Sequence, residues 1–148
     1  IFILVKTDAY GGGGMYNFYA MGTADNPRTP VVFVHEFGHS FAGLADEYFS
    51  SEVAYQDFYN LKYEPWEPNI TTLVNFDAKW KDLLPTNTPI PTPLDDAHKD
   101  KAGVFEGGGY IAKGIYRPMD HCMMRDYAPF CPACSRAILQ MVDFLTDK

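Results

Sequence analysis

Cysteine is scarce in this chain of 148 residues: there are three, at positions 122, 131 and 134. Three thiols crowded into one short stretch do not make the disulfide framework of a small secreted scaffold. No apolar run approaches the roughly 20 residues that a membrane-spanning helix needs. Positive charge is also short, with 12 Lys and Arg against 19 Asp and Glu for a net charge of −7. That balance argues against nucleic-acid or anionic-membrane partners. The chain opens at Ile1-Phe2-Ile3-Leu4-Val5 with no initiator Met and no signal segment, so the expectation is a trimmed part of a larger protein. The four-glycine run Gly11 to Gly14 lacks the Gly-Lys-Ser/Thr ending of a phosphate-binding loop, which removes a nucleotide site. No internal repeat is visible.

What is present suits one domain with a real core. Aromatic residues make up 16% of the chain, as expected of a well-packed domain with a cleft. The organising stretch is Val31 to Tyr48, VVFVHEFGHSFAGLADEY, which contains His35-Glu36-Phe37-Gly38-His39. Asp25 to Pro30 reads as a loop and helix start, with Thr29 as N-cap and Pro30 at the first helical position. Val31, Val32, Val34, Phe37 and Phe41 predict a central, buried helix, and Gly43 predicts its end through the left-handed backbone that glycine readily adopts.

Around this helix the reading is coarser. Ile1 to Thr7 predicts a buried strand, and Met15 to Thr23 a neighbouring strand. The glycine run between them reads as a flexible hairpin turn, or else as bare backbone that lets a substrate chain approach an edge strand. Asp57 to Leu61 is aromatic and polar, and Lys62 to Asn69 is irregular. Asn69-Ile70-Thr71 fits a glycosylation sequon, a pattern common by chance. Phe76 to Leu84 predicts a short helix with Trp80 turned inward, and Pro85 to Pro93 an extended loop. Gly103 to Pro118 predicts ordered cleft wall, and Cys131 to Lys148 a closing helix with Ile138, Leu139, Met141, Val142 and Leu145 at helical spacing.

The chemistry lies in the helix. Residues four apart share one helical face, so His35 and His39 can grip one metal ion while Glu36 reaches a water in the ion's open position. This is the arrangement of a zinc peptidase. A glutamate on so apolar a helix is costly to bury without a polar role; metal, water and carboxylate explain one another. A catalytic zinc usually takes a third protein ligand, and just past the Gly43 turn stand Asp46, the candidate, and Glu47, its rival. The second cluster, His121-Cys122-Met123-Met124-Arg125 with Cys131-Pro132-Ala133-Cys134, admits a structural zinc site from His121 and the cysteines. Adjacent His and Cys rarely both ligate one ion, so in an exported protein the favoured reading is a disulfide from Cys122 to Cys131 or Cys134, with the third thiol unexplained; the methionines can be core filler.

HEFGHSFAGLADEY, EPNITT, FEGGGYIAKGIYRP and CMMRDYAPFCPAC together resemble the immunoglobulin-A peptidase family of bacterial zinc metallopeptidases. The motifs run in order from the first strand to the closing helix. That family looks like a branch of the metzincins, whose motif continues past a glycine turn to a third ligand and whose zinc sits above a methionine turn. The resemblance implies Zn2+ held by His35, His39 and Asp46, Glu36 as general base, and Met124 as the methionine of that turn. Gly43 and Asp46 each fall one residue later than the usual metzincin spacing, which would put Ala45 at the ligand position; an extra residue in the turn restores Asp46. Metzincin domains also begin with strands and a backing helix ahead of this point.

The resulting expectation is an α+β, metzincin-like catalytic domain over residues 1–148, with a small twisted mixed sheet over the HExxH helix, a Met-turn and a C-terminal helix. It would be a zinc endopeptidase of protein or peptide substrates, with immunoglobulin A or other host or mucosal glycoproteins as candidates. Glu36 would assist attack by zinc-bound water, and Tyr127 would support the oxyanion, with Tyr110 and Tyr116 as alternatives. Substrate would add to the sheet edge near Met15 to Thr23. The resemblance implies a secreted or cell-surface location. The competing classes are a non-catalytic module that binds protein or glycan, and a purely structural zinc domain.

Overall fold

The structure is a computed structural model that describes residues 1–49 and 58–147; Asp57 and Lys148, included in two of the segments read from sequence, lie outside the described residues. Three short strands, Phe2–Val5 (β1), Gly12–Met15 (β2) and Tyr19–Thr23 (β3), form a mixed sheet in the order β1-β3-β2. β1 runs parallel to β3 with Phe2 opposite Ala20, and β2 runs antiparallel with Gly12 opposite Gly22. The sheet packs on helix α1, Thr29–Ala42, where the Phe2 ring meets Phe33 at 5.3 Å and Phe37 at 6.4 Å.

The glycine run is a strand, not a turn. A Cβ on Gly14 would lie 2.5 Å from the Glu36 carbonyl oxygen and 2.7 Å from His39 Cβ; one on Gly12 would lie 2.6 Å from Glu36 Oε1 and from Val32 Cγ1. Bare backbone is what brings β2 directly onto the helix that carries the HExxH motif. It also follows that the sheet edge beside this helix is β2, whereas β3, within the Met15 to Thr23 stretch expected at the edge, is the central strand. β1 forms where the sequence predicts a strand but is exposed throughout, Leu4 by 60%, because it is the opposite edge and among the described residues little besides the Phe33 and Phe37 rings of α1 covers it.

α1 starts one residue earlier in its capping than the sequence reading has it. Arg28 is the N-cap without a side-chain cap bond, and Thr29 is already helical, its hydroxyl donating to the Thr23 carbonyl at 2.5 Å. The other end is as expected. Gly43 is left-handed at φ 63°, its N–H donating to His39 O at 3.1 Å and the Leu44 N–H to Gly38 O at 3.2 Å. The helix is less apolar in its burial than in its sequence: Val34 is exposed, and His35, Glu36 and Gly38 are among its buried residues.

The second half surrounds Trp80. Strands Phe105–Gly108 (β4) and Ile111–Arg117 (β5) form an antiparallel hairpin, with Phe105 opposite Arg117. Phe76 to Leu84 is two 3-10 turns, Phe76–Ala78 and Lys81–Leu83, instead of one helix. Trp80 at their junction is fully buried and donates its indole N–H to Gly103 O at 2.8 Å. A short helix α2, Met123–Asp126, and the closing helix α3, Pro132–Leu145, complete the chain. Leu44, Trp80, Val104, Cys122, Met124, Cys131 and Cys134 share one core, while Ala45, Ile70 and Ile115 form a smaller one. α3 buries Ala133, Cys134 and Ala137, leaving Leu139, Val142 and Leu145 exposed. Among the described residues, no helix is long and apolar enough to cross a membrane.

Candidate metal centre and its cleft

One turn of α1 separates His35 from His39, and their Nε2 atoms lie 3.1 Å apart. Past the Gly43 turn the chain doubles back and brings Asp46 Oδ1 to 2.9 Å from His35 Nε2 and 3.3 Å from His39 Nε2. The outer ring nitrogens settle the tautomers. His35 Nδ1 faces Met123 O at 2.9 Å and His39 Nδ1 faces Leu44 O at 2.6 Å. A carbonyl oxygen only accepts, so both Nδ1 atoms carry the hydrogen, and in neutral imidazoles both Nε2 lone pairs point inward. Asp46 Oδ1, buried and without a hydrogen-bond donor among the described residues, adds a third. Three electron-pair donors within 4.8 Å of one another repel unless a positive charge sits between them.

The donor set fits a zinc-type ion. Tetrahedral Zn–N bonds of about 2.0–2.1 Å would space the ligand atoms about 3.3 Å apart, close to the observed separations. All three donor residues line the cleft, and an ion held by three protein groups would keep a further position for water. The two histidines that donate their other N–H to carbonyls follow the usual second tier of support for a metal-ligating imidazole.

The ionisation of the three acids differs by surroundings. Burial alone would raise Asp46, but the adjacent imidazoles of His35 and His39, positive when protonated in the ion-free chain, outweigh it and hold the carboxyl well below the usual carboxylate range. For Glu36, burial dominates and raises the carboxyl, only partly offset by the two histidines. Glu47 points the other way: it is fully buried among Cys122, Cys131 and Cys134, and burial pushes it well above the ordinary range. Asp46 and Glu47, the two acids that sequence leaves in competition, are thus sorted to opposite sides of the same segment.

Two residues that the sequence suggests for other roles hold this segment. Asn69 is fully buried; its Oδ1 accepts from Ala45 N–H at 2.7 Å while Nδ2 donates to Ala45 O at 2.8 Å and Glu47 Oε1 at 2.9 Å. The amide of the sequon is therefore spent on the loop and is not a glycan acceptor in the folded chain. The Tyr110 hydroxyl donates to Asp46 Oδ2, and the hairpin tip grips the loop backbone through Gly109 N–H to Asp46 O and Tyr110 N–H to Tyr48 O. Asn69 and Tyr110 lie 23 and 64 positions from Asp46, and no local pattern announces either.

Of the three candidate tyrosines, Tyr127 has its ring 5.6 Å from that of His35, its hydroxyl bonded to that of Tyr10. Tyr110 is committed to Asp46, and Tyr116 packs against the larger core. Met124 lies under the helix: a Cβ on Gly38 would come within 2.6 Å of its Sδ. His121 is exposed and paired with Asp126, away from the cysteines. The three cysteines are free thiols, so the expected disulfide is not formed.

Glu36, His35, His39 and Asp46 open onto a cleft of about 400 Å³, walled by Gly12 to Gly14 on one side and Tyr48, Tyr59 and Trp66 among others. A family model described as IgA Peptidase M64 matches residues 1–102 and 94–142. The chain belongs to the IgA peptidase M64 family. No curated protein matches the chain significantly. Membership makes it a peptidase of a metallopeptidase family, and the matched region contains the whole histidine–aspartate cluster, the β2 wall of the cleft and Tyr127.

Proposed function

We propose that the chain is a metzincin-like, zinc-dependent endopeptidase of protein substrates. The observation that carries this reading is the convergence of His35 Nε2, His39 Nε2 and Asp46 Oδ1 on one point beside Glu36. In it, His35, His39 and Asp46 hold the ion, and Met124 is the methionine of the turn below. Bound Zn2+ would supply Lewis-acid polarisation of the scissile carbonyl and a lowered pKa for water.

The chain's own groups do the rest. Glu36, held in the cleft against Gly12, takes a proton from the attacking water as its oxygen bonds to the carbonyl carbon. As the C–N bond breaks, Glu36 returns the proton to the leaving amine. Its burial-raised basicity suits both halves of that transfer. Tyr127, beside His35, donates its hydroxyl to the developing oxyanion. The outer edge of β2, which pairs with no other strand among the described residues, receives an extended substrate segment by strand addition. The family's name supports immunoglobulin A, and with it host or mucosal glycoproteins outside the cell, as the substrate class for an exported or surface-held enzyme.

Glu36→Gln tests this reading. The variant should retain its metal and lose proteolysis of a protein substrate. Wild-type cleavage by the variant, or cleavage by the wild type that a chelator leaves untouched, would overturn the proposal.

A further inference from the structure

A second group of buried side chains lies behind the first. Glu47, Cys122, Cys131 and Cys134 bring one oxygen and three sulfurs within 4.8 Å of one another, all four residues buried. From this geometry we infer a second, structural metal site of the zinc type, with Glu47, Cys122, Cys131 and Cys134 as its four ligands.

The distances suit a tetrahedral ion. Zn–S bonds of about 2.3 Å place two thiolates about 3.8 Å apart, and a thiolate and a carboxylate oxygen about 3.6 Å apart. Cys122 Sγ and Cys134 Sγ are 3.7 Å apart, and Cys134 Sγ is 3.2 Å from Glu47 Oε1. Cys131 and Cys134 have the two-residue spacing common in zinc sites. Cys131 caps α3, and its sulfur accepts from Cys134 N–H at 3.4 Å, while Cys122 Sγ accepts from Cys131 N–H at 3.4 Å. Backbone donors aimed at sulfur at a helix start stabilise negative charge there, while the neighbouring thiol pushes Cys122 up and burial pushes Cys134 up, so that without a cation both stay protonated.

Glu47 supplies the independent observation. It is fully buried, and its Oε2 has no hydrogen-bond partner among the described residues. A carboxylate oxygen buried without a partner is costly unless a cation or donor meets it. A disulfide does not resolve this. Any pairing of two cysteines leaves the third thiol buried and Glu47 Oε2 unmet. One divalent ion satisfies all four groups, and the buried Arg117 guanidinium nearby offsets part of the remaining negative charge. With every ligand buried, the site presents no face to a substrate. A carboxylate among thiolates suits borderline zinc better than the softer copper(I).

The site would tie together three distant parts of the chain: the loop that ends in Asp46, the segment before Met124, and the start of α3. Because Asp46 and Glu47 are adjacent, the inner ion would fix the backbone from which the outer site takes its third ligand.

The test is metal analysis of the full-length protein, purified anaerobically in reductant, together with the double variant His35→Ala/His39→Ala. The expected result is two zinc ions per chain in the wild type and one in the double variant. Replacing zinc by Co2+ in the double variant should give thiolate-to-cobalt charge-transfer absorption in the near ultraviolet. Histidine and carboxylate ligands do not produce it. The added substitution Cys131→Ser should remove the band. A double variant with no metal and no such band overturns the second site, even if the wild type holds one ion. So does a disulfide among the three cysteines, mapped by mass spectrometry in the native protein. A wild type and double variant that each hold one thiolate-bound ion would support the second site and instead contradict the catalytic reading. The cobalt spectrum is read with all three cysteines intact, so the test stands even if Cys131→Ser fails to fold.

Discussion

Asn69→Ala removes the clamp on the loop that delivers Asp46. Two buried groups, Ala45 N–H and Ala45 O, lose their partner at once, and Glu47 Oε1 loses one of its two, keeping only Cys134 Sγ at 3.2 Å. Each polar group left buried and unpaired costs about 1–3 kcal/mol. Relaxation and water entry keep the sum toward the lower end, so the expected loss is about 3–5 kcal/mol, a large share of the about 5–15 kcal/mol that holds a domain together. The loss should reach the metal as well, because supports one step behind a ligand typically matter 10–100-fold in affinity. Urea unfolding of metal-loaded protein reads the first effect, and competition with a chromophoric chelator reads the second. A variant destabilised by less than about 1 kcal/mol, with unchanged zinc affinity, would refute the claim that Asn69 positions the loop.

Further outcomes follow from the same geometry. Gly14→Ala drives a methyl into the Glu36 carbonyl and His39 Cβ; it should cost about 1–3 kcal/mol through overpacking and lower activity in a peptidase assay, and a neutral result would mean that β2 can lift off α1 freely. Tyr127→Phe removes the proposed oxyanion donor; kcat should fall by about 10²-fold or more with KM little changed, and an unaltered kcat would return Tyr127 to a packing role. In the metal-free protein, burial pulls His39 down but the Asp46 carboxylate outweighs it and raises the imidazole above its ordinary value. A proton therefore competes with zinc below that raised value, so zinc affinity should climb as pH rises through it and then level. Competition titrations giving the same affinity across pH 5–8, roughly the range of histidine titration, would contradict this.

How much of this was legible depended on how local each contact is. His35, Glu36 and His39 lie within one helical turn, so spacing alone places them together, and Gly43 marks the turn by its backbone needs. Asp46 over Glu47 follows from its place past the Gly43 turn and from the resemblance, since two adjacent acids on an irregular loop have no periodicity to tell their sides apart; Asn69, the β4–β5 hairpin tip and the cysteines turn the two side chains to opposite sides. Met124 likewise meets Gly38 across 86 positions of chain, a pairing that a family pattern can carry and a helical period cannot. The glycine run misled because a turn and a strand pressed against a helix both demand residues without a Cβ. β1 misled because an apolar run is the same in a central strand and an exposed edge. The cysteines read as a disulfide pair plus an unexplained third until Glu47 was placed among them.

The most direct measurement is an anomalous-scattering map at the zinc absorption edge, from crystals of the full-length protein grown without chelator. The expected peak lies within bonding distance of His35 Nε2, His39 Nε2 and an Asp46 carboxylate oxygen, with a fourth position open to the cleft beside Glu36. An ion elsewhere with this point empty, or one completed by Glu47 with Asp46 turned away, would contradict it.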